Sequence, residues 1–400
     1  MSPLTLLAPT GALHRVELHA APAYTRPTAP LRSRVAYAAA HVIPHRHADN
    51  TPDRPADIDW DATLGFRREV YSWGLGIADA MDTAQRNMGL DAAATRELIS
   101  RSAQVAREEG GSLVVGVNTD HLDDEHLTLD EVIAAYRTQL DFTQEQGAGP
   151  VLMASRHLAR AARSADDYRR VYRAVLQSAS APVVLHWLGT AFDPALEGYF
   201  GASEWPTASE VLLQIIEENV DKVAGVKMSL LNAASEVAVR ERLPDSVRMF
   251  TGDDFNYVGL IGGADVPDAP QPDRDPQSPR QHSDALLGAF AALAPSASAA
   301  IQALDAGDPS RYLGILAPTE SLSRQIFAAP TFYYKTGVAF MAWLGGHQPA
   351  FQMVGGLHSA RSLVHLSRIV ELANTAGALT RPELAAERWH ALLRLNGVDA

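Results

Sequence analysis

The sequence predicts an α/β protein, a (β/α)8 barrel of the TIM-barrel class with a C-terminal helical extension. Three observations carry that expectation. Short apolar runs rich in Val, Ala and Leu recur with amphipathic stretches between them, the pattern left by a parallel sheet that helices cover. Eight such runs occur, the number that closes this barrel. At 400 residues the chain exceeds one domain of most folds but suits a barrel carrying additions.

Taken in order, the strands are expected near residues 34–42, 76–80, 113–117, 150–154, 182–185, 225–227, 249–252 and 285–290. Between them, apolar residues at helical spacing mark helices that include 92–109, 128–146, 165–178, 208–219 and 235–242. Residues 1–33 then form an N-terminal extension, 34–295 the barrel and 296–400 a helical region packed on it. Glycine-bearing turns break that region at 344–346 and 355–356. Prolines and aspartates crowd 265–280, which reads as a loop inserted before the last strand, either a lid or a disordered tongue.

Composition narrows the partners. A net charge of −13 without a basic patch argues against nucleic acid and anionic membrane surfaces. The absence of cysteine excludes disulfides, thiolate metal sites and cysteine nucleophiles. Residues 1–20 lack a basic segment followed by an apolar core, and no long apolar run follows, so the expectation is a cytoplasmic protein. Lysine usage is more informative. Lysine stands only at Lys222, Lys227 and Lys335, so arginine fills almost every surface role. A partly desolvated lysine amine can lose its proton near neutral pH and attack a carbonyl, which a guanidinium cannot.

In barrels of this kind, residues at the C-terminal ends of the strands converge on one pocket. The strand ends present His41, then Asp82 and Thr83, then Asn118, Asp120 and His121, then Ser155, Arg156 and His157. His186 and Trp187 follow the fifth strand, Lys227 ends the sixth, and Asp253 and Asp254 follow the seventh.

These residues resemble the dihydrodipicolinate synthase and N-acetylneuraminate lyase superfamily of Schiff-base class I aldolases, most nearly its branch called domain of unknown function 993. Gly225-Val226-Lys227-Met228-Ser229 is similar to the family's sixth-strand lysine motif, and Gly252-Asp253-Asp254 to its seventh-strand turn. Gly262-Gly263-Ala264 and Pro295 resemble the features flanking its eighth strand, and Ala306-Gly307-Asp308 the opening of its helical tail. The likeness spans about residues 34–345. It departs at Met81-Asp82-Thr83-Ala84-Gln85, where only Thr83 is kept from the turn that binds the keto-acid carboxylate. The family's fourth-strand tyrosine, a proton relay, falls near Ser155 or Arg156, with no tyrosine beside it.

The resemblance implies a lyase, aldolase or dehydratase acting on a small keto acid or sugar-derived carbonyl compound. Its only cofactor-like group is the covalent Schiff base on Lys227, with no metal, and the family assembles as homodimers or homotetramers. His186 and His157 are the expected acid-base groups, because imidazole titrates near neutral pH. Arg156 replaces the lost carboxylate-binding turn, while Asp82, Thr83, Asn118 and Asp254 complete substrate binding. Asp82 would repel a carboxylate but accept hydrogen bonds from sugar hydroxyls.

Blander readings stand beside these. Lys227 would pair structurally with Asp254, Lys335 would only pack in the tail, and Asp253 and Asp254 would shape a turn. His45, His47 and Asp49 read as solvated loop residues. A different enzyme class, a metal-dependent hydrolase or isomerase, would use His41, Asp82, His121, His186 and Asp253 as ligands. A third reading is a barrel without catalysis that serves as a binding or assembly module.

Overall fold

Eight parallel strands close on themselves, as the eight apolar runs require. The computed structural model describes residues 3–270, 272, 275, 277–278 and 281–399. An antiparallel hairpin comes first, β1 (Leu4–Leu7) and β2 (Leu13–Val16). The barrel strands follow as β3 (Ala36–Ala39), β4 (Gly76–Asp79), β5 (Leu113–Val117), β6 (Gly149–Met153), β7 (Val183–Leu188), β8 (Val223–Ser229), β9 (Arg248–Thr251) and β10 (Asp284–Leu287). They pair in sequence order and β10 closes on β3. Ala39, Ala78, Val114, Val151, Val184, Phe250 and Leu286 fill the barrel's interior as a packed cluster.

Strand β3 is shorter than the expected 34–42, and β8 extends past the expected 225–227 at both ends. Glycine and lysine inside it weaken its apolar pattern, yet it pairs with β7 from Val183↔Val223 to Leu188↔Ser229. At the last strand the sequence places residues 288–290 wrongly. Strand β10 stops at Leu287, and Ala289 and Phe290 already belong to a helix, Ala289–Asp305, that runs through Pro295. Leu293 there departs from helical geometry, which accommodates the proline ring two residues later.

The covering helices, in chain order, are α1 (Trp60–Ser72), α2 (Ala92–Glu109), α3 (Leu129–Glu145), α4 (Arg156–Ala161), α5 (Ala165–Ser178), α6 (Trp205–Glu218), α7 (Ala233–Arg240), α8 (Tyr257–Gly262) and α9 (Ala289–Asp305). Side chains cap the starts of α1 to α5 and α7, for example Asp91 on Ala94 N and Thr128 in a reciprocal bond with Glu131. Helix α1 hides from apolar periodicity because its core face carries Thr63 and Arg67. Arg67 is wholly buried and binds Asp79 of β4 at 2.8 Å and 2.9 Å.

The C-terminal region comprises α10 (Pro309–Ile326), α11 (Tyr334–Leu344), α12 (Leu363–Thr375) and α13 (Pro382–Leu395). Turns with left-handed glycines at Gly346, Gly355 and Gly356 interrupt it. Strand β1 docks on this region: Thr5 N donates to His390 at 2.9 Å, and Trp389 Nε1 donates to Thr5 O at 2.7 Å.

The loop expected at 265–280 lies partly outside the described residues. Its described part leaves α8 and enters β10, so it sits at the amino ends of the strands. Asp265 there binds Arg34, which precedes β3, at 2.7 Å. The described part of the loop therefore does not cover the strands' carboxyl ends. No helix among the described residues is long and apolar enough to cross a membrane.

Candidate active site

Alternate residues of a barrel strand face inward. On β8 these are Gly225, Lys227 and Ser229, the side on which a Cβ at Gly225 would strike the ring of Phe250 inside the barrel. Lys227 stands level with His186 of β7 and Phe250 of β9. Gly252 leaves the lysine its path: a Cβ there would lie 2.2 Å from Ser229 Oγ and 2.9 Å from Lys227 Cε. The Lys227 side chain is only 5% exposed.

Burial holds the Lys227 amine below its ordinary pKa, while the carboxylates of Asp82 and Asp254 oppose the shift. Burial also raises the Asp254 carboxyl well above the usual range. Asp254 Oδ1 accepts the Ala289 amide at 2.8 Å, so this residue ties β9 to the start of α9. His186 is fully buried, and its Nε2 lies 3.1 Å from Ser229 Oγ. Burial, then the charge of Lys227, lowers its pKa well below 6.5, so the ring is neutral beside the amine.

The second strand's end is built by a backbone reversal. Ala80 adopts a left-handed φ of 48°, and a single turn, Asp82–Ala84, follows. Tyr334, first residue of α11, reaches this turn. Its phenol donates to Asp82 Oδ2 at 2.8 Å and lies 2.6 Å from Thr83 Oγ1. Since a carboxylate only accepts, the phenol's proton goes to Asp82 and Thr83 donates to the phenol. Burial, then Asp82, raises the Tyr334 pKa well above 10. The ring stacks on Phe327 at 4.3 Å and meets Phe192 edge-on at 5.8 Å. A Cβ at Gly288, past the end of β10, would press on both Phe327 and Tyr334, at 2.9 Å and 3.0 Å.

Lys335 adjoins Tyr334. It is 1% exposed, its amine donates to Phe332 O at 3.1 Å and it lies 3.9 Å from Asp82 Oδ2. Burial is the main cause that pushes its pKa down to about 8, with Asp82 opposing. The structure thus sets His186, Asp82 and Asp254 beside Lys227 and groups Thr83, with Tyr334 and Lys335 from the tail, about Asp82.

The other expected site residues stay on the rim. Asn118 Oδ1 accepts the Thr119 amide at 2.7 Å, which shapes the end of β5. His157, the second residue of α4, bonds Thr119 Oγ1 through Nδ1 at 2.7 Å and faces Arg160, Asp120 and Asp124. Arg156 Nε donates to Asp193 at 2.7 Å, and its side chain is 38% exposed. Asp253 accepts from Phe255 N and Asn256 and shapes the turn after β9.

The metal-ligand set considered from the sequence is dispersed. His41 bonds Gln348 at 3.0 Å, His121 bonds Gln139 at 2.9 Å, and Asp253 is spent on its own turn. Among the described residues no three His, Cys, Asp or Glu side chains converge as a metal site.

Sequence reasoning missed Tyr334 altogether and read Lys335 as packing. Both lie some 250 positions from Asp82, and no local pattern encodes that approach. The one available signal was the scarcity of lysine.

Known structures share the architecture. A 4-hydroxy-tetrahydrodipicolinate synthase from Methylacidiphilum fumariolicum superposes with a TM-score of 0.57 at 16% identity, over 86% of this chain and 99% of that one. A dihydrodipicolinate synthase from Bacillus anthracis gives 0.59 at 13%, over 86% and 98%. One from Rhodopseudomonas palustris gives 0.56 at 15%, over 84% and 96%. At such identities the likeness establishes the fold alone. No curated protein sequence matches significantly. A family model, by contrast, matches residues 4–398, and the chain belongs to that family, described as protein of unknown function (DUF993).

Proposed function

We propose that this protein is a Schiff-base-forming lyase, an aldolase or dehydratase acting on a small keto acid or a sugar-derived carbonyl compound. The observation that carries the reading is Lys227, a buried amine of lowered pKa at the carboxyl end of the sixth barrel strand. The fold shared with dihydrodipicolinate synthases supports it.

Neutral Lys227 adds to the substrate carbonyl and forms a carbinolamine. Loss of water yields a protonated iminium. That cation draws the electron pair of the adjacent carbon–carbon or carbon–hydrogen bond as it breaks, leaving an enamine. Reprotonation and hydrolysis return the amine and release product. Protons must move at the carbinolamine and at the enamine carbon. His186 is the neutral base nearest in the strand register, and the Thr83–Tyr334–Asp82 chain supplies a second route. Neither route calls on a metal or a separate organic cofactor, because the covalent Schiff base provides the electron sink.

The test is intact-mass spectrometry after borohydride reduction with keto acids and keto sugars, on wild type and Lys227→Ala. An adduct that maps to Lys227 and disappears in the variant is expected. Equal labelling of both proteins would overturn the assignment.

A further inference from the structure

We propose that Lys335 is an anion-binding residue, so that the substrate is a short carbonyl compound bearing a carboxylate or phosphate group at the end remote from the reacting carbon. The proposal rests on the Schiff-base reading of Lys227 and adds a substrate class to it.

The position of Lys335 is the first ground. Its amine lies 3.9 Å from Asp82 at the end of β4, and it senses Asp193 and Arg156 at the ends of β7 and β6. Groups from these separate strand ends place the amine over the barrel mouth. Lys227 senses the same Asp82 carboxylate from inside the barrel. The two buried lysines therefore flank one carboxylate, the inner one as nucleophile and the outer one above it.

The second ground is unspent bonding capacity. A lysine ammonium has three donors. Lys335 makes one hydrogen bond, to Phe332 O, and its separation from Asp82 is beyond hydrogen-bond range. Its remaining contact is with the face of Tyr334, 4.5 Å away. Asp82 Oδ2 already accepts the Tyr334 phenol, and Asp193 is neutralised by Arg156. A nearly inaccessible cation with spare donors is costly to keep unless something anionic completes it. Packing alone would be served by any apolar side chain of that length, in a protein that otherwise uses lysine at only two positions.

The third ground is charge balance. Asp82 by itself would repel an anionic substrate; the adjacent ammonium cancels that repulsion and leaves Asp82 free to accept a hydroxyl. Carboxylate and phosphate meet an ammonium equally well as point charges, so the experiment decides between them.

Full-length wild type, Lys335→Met, Lys335→Arg and Lys227→Ala are compared in two assays. In borohydride trapping, wild type is expected to label with levulinate, whose carboxylate is remote from its ketone, or with dihydroxyacetone phosphate at concentrations at least tenfold below those needed for neutral dihydroxyacetone or acetone. Lys335→Met should lose that preference, its anionic ketones labelling no better than its neutral ones, and Lys335→Arg should keep part of it. In calorimetric titration, inorganic phosphate or malonate should bind wild type and Lys227→Ala alike and fail with Lys335→Met. The more effective anion identifies the group recognised. Equal labelling by neutral and anionic ketones, or anion binding that survives Lys335→Met, overturns the proposal. An adduct that maps to Lys335 also overturns it, by making that lysine the nucleophile. If nothing labels Lys227 yet phosphate or malonate binding is lost only in Lys335→Met, the anion site stands and the Schiff-base reading falls.

Discussion

A buried lysine amine and a buried carboxyl respond to pH in opposite senses, and both kinds occur near the end of this barrel. For Lys227 the reactive form is the free amine, so trapping with a neutral ketone should accelerate as pH rises and level off below pH ~10.5, the ordinary lysine value. A plateau only above that value would show that burial does not lower its pKa. Gly252 provides a steric counterpart. Gly252→Ala puts a methyl against Lys227 Cε and Ser229 Oγ, at a cost of roughly 1–3 kcal/mol for overpacking. Trapping should fall at least tenfold while the circular dichroism spectrum stays unchanged. Glu236 gives the stability prediction. Fully buried on α7 and bonded by Ser283 at 2.7 Å, its carboxyl is raised to about 8, chiefly by burial. The folded state then holds a proton that the unfolded chain releases near pH 4.5, so stability falls as pH climbs from about 4.5 to about 8. The loss is on the order of 5 kcal/mol by the usual conversion. Glu236→Gln has no such proton, and urea denaturation at pH 5 and pH 8.5 should show a much smaller decline for the variant; parallel declines would refute the shift.

At the scale of elements, the strands and helices that carry the barrel were legible because each repeats a burial pattern within a few residues. Helices α2 and α5 match the expected bounds, and β5 does so to the residue. Helix α1 was less legible because Arg67 and Thr63 occupy positions where periodicity looks for apolar side chains. For the site, the strand ends gave Lys227, His186, Asp82 and Thr83 as neighbours, since barrel topology alone brings strand ends together. It could not give Tyr334 or Lys335, which depend on how the turn between α10 and α11 folds over the mouth. That turn makes its own prediction. Gly288 admits the Phe327–Tyr334 stack with no space left for a side chain. Gly288→Val should displace Tyr334 from Asp82 and Thr83, reducing trapping at Lys227 without removing the lysine. Wild-type trapping by Gly288→Val would show that the stack is a cover with no part in the chemistry.

Across the whole molecule, the site is held from its far side by a chain of contacts that begins at the N-terminus. Strand β1 binds α13 through Thr5, whose carbonyl accepts the Trp389 indole. Trp389, with no exposed surface, meets Phe340 of α11 edge-on at 6.1 Å. Helix α11 begins with Tyr334 and Lys335, so a displacement at Trp389 is predicted to reach the mouth of the barrel through this helix. Helix α9 crosses residue 295, and β1 hydrogen-bonds helices at the other end of the chain, so the three expected segments share their packing. Trp389→Ala removes a fully buried indole and should cost about 3–5 kcal/mol, measured by chemical denaturation. Under conditions where the variant is still folded, trapping at Lys227 should also slow, although its substituted residue lies at the opposite end of α11 from the site. If stability falls by that amount but trapping keeps its wild-type rate, the mouth is positioned by the barrel alone, and the hairpin and α13 act only as ballast for the fold.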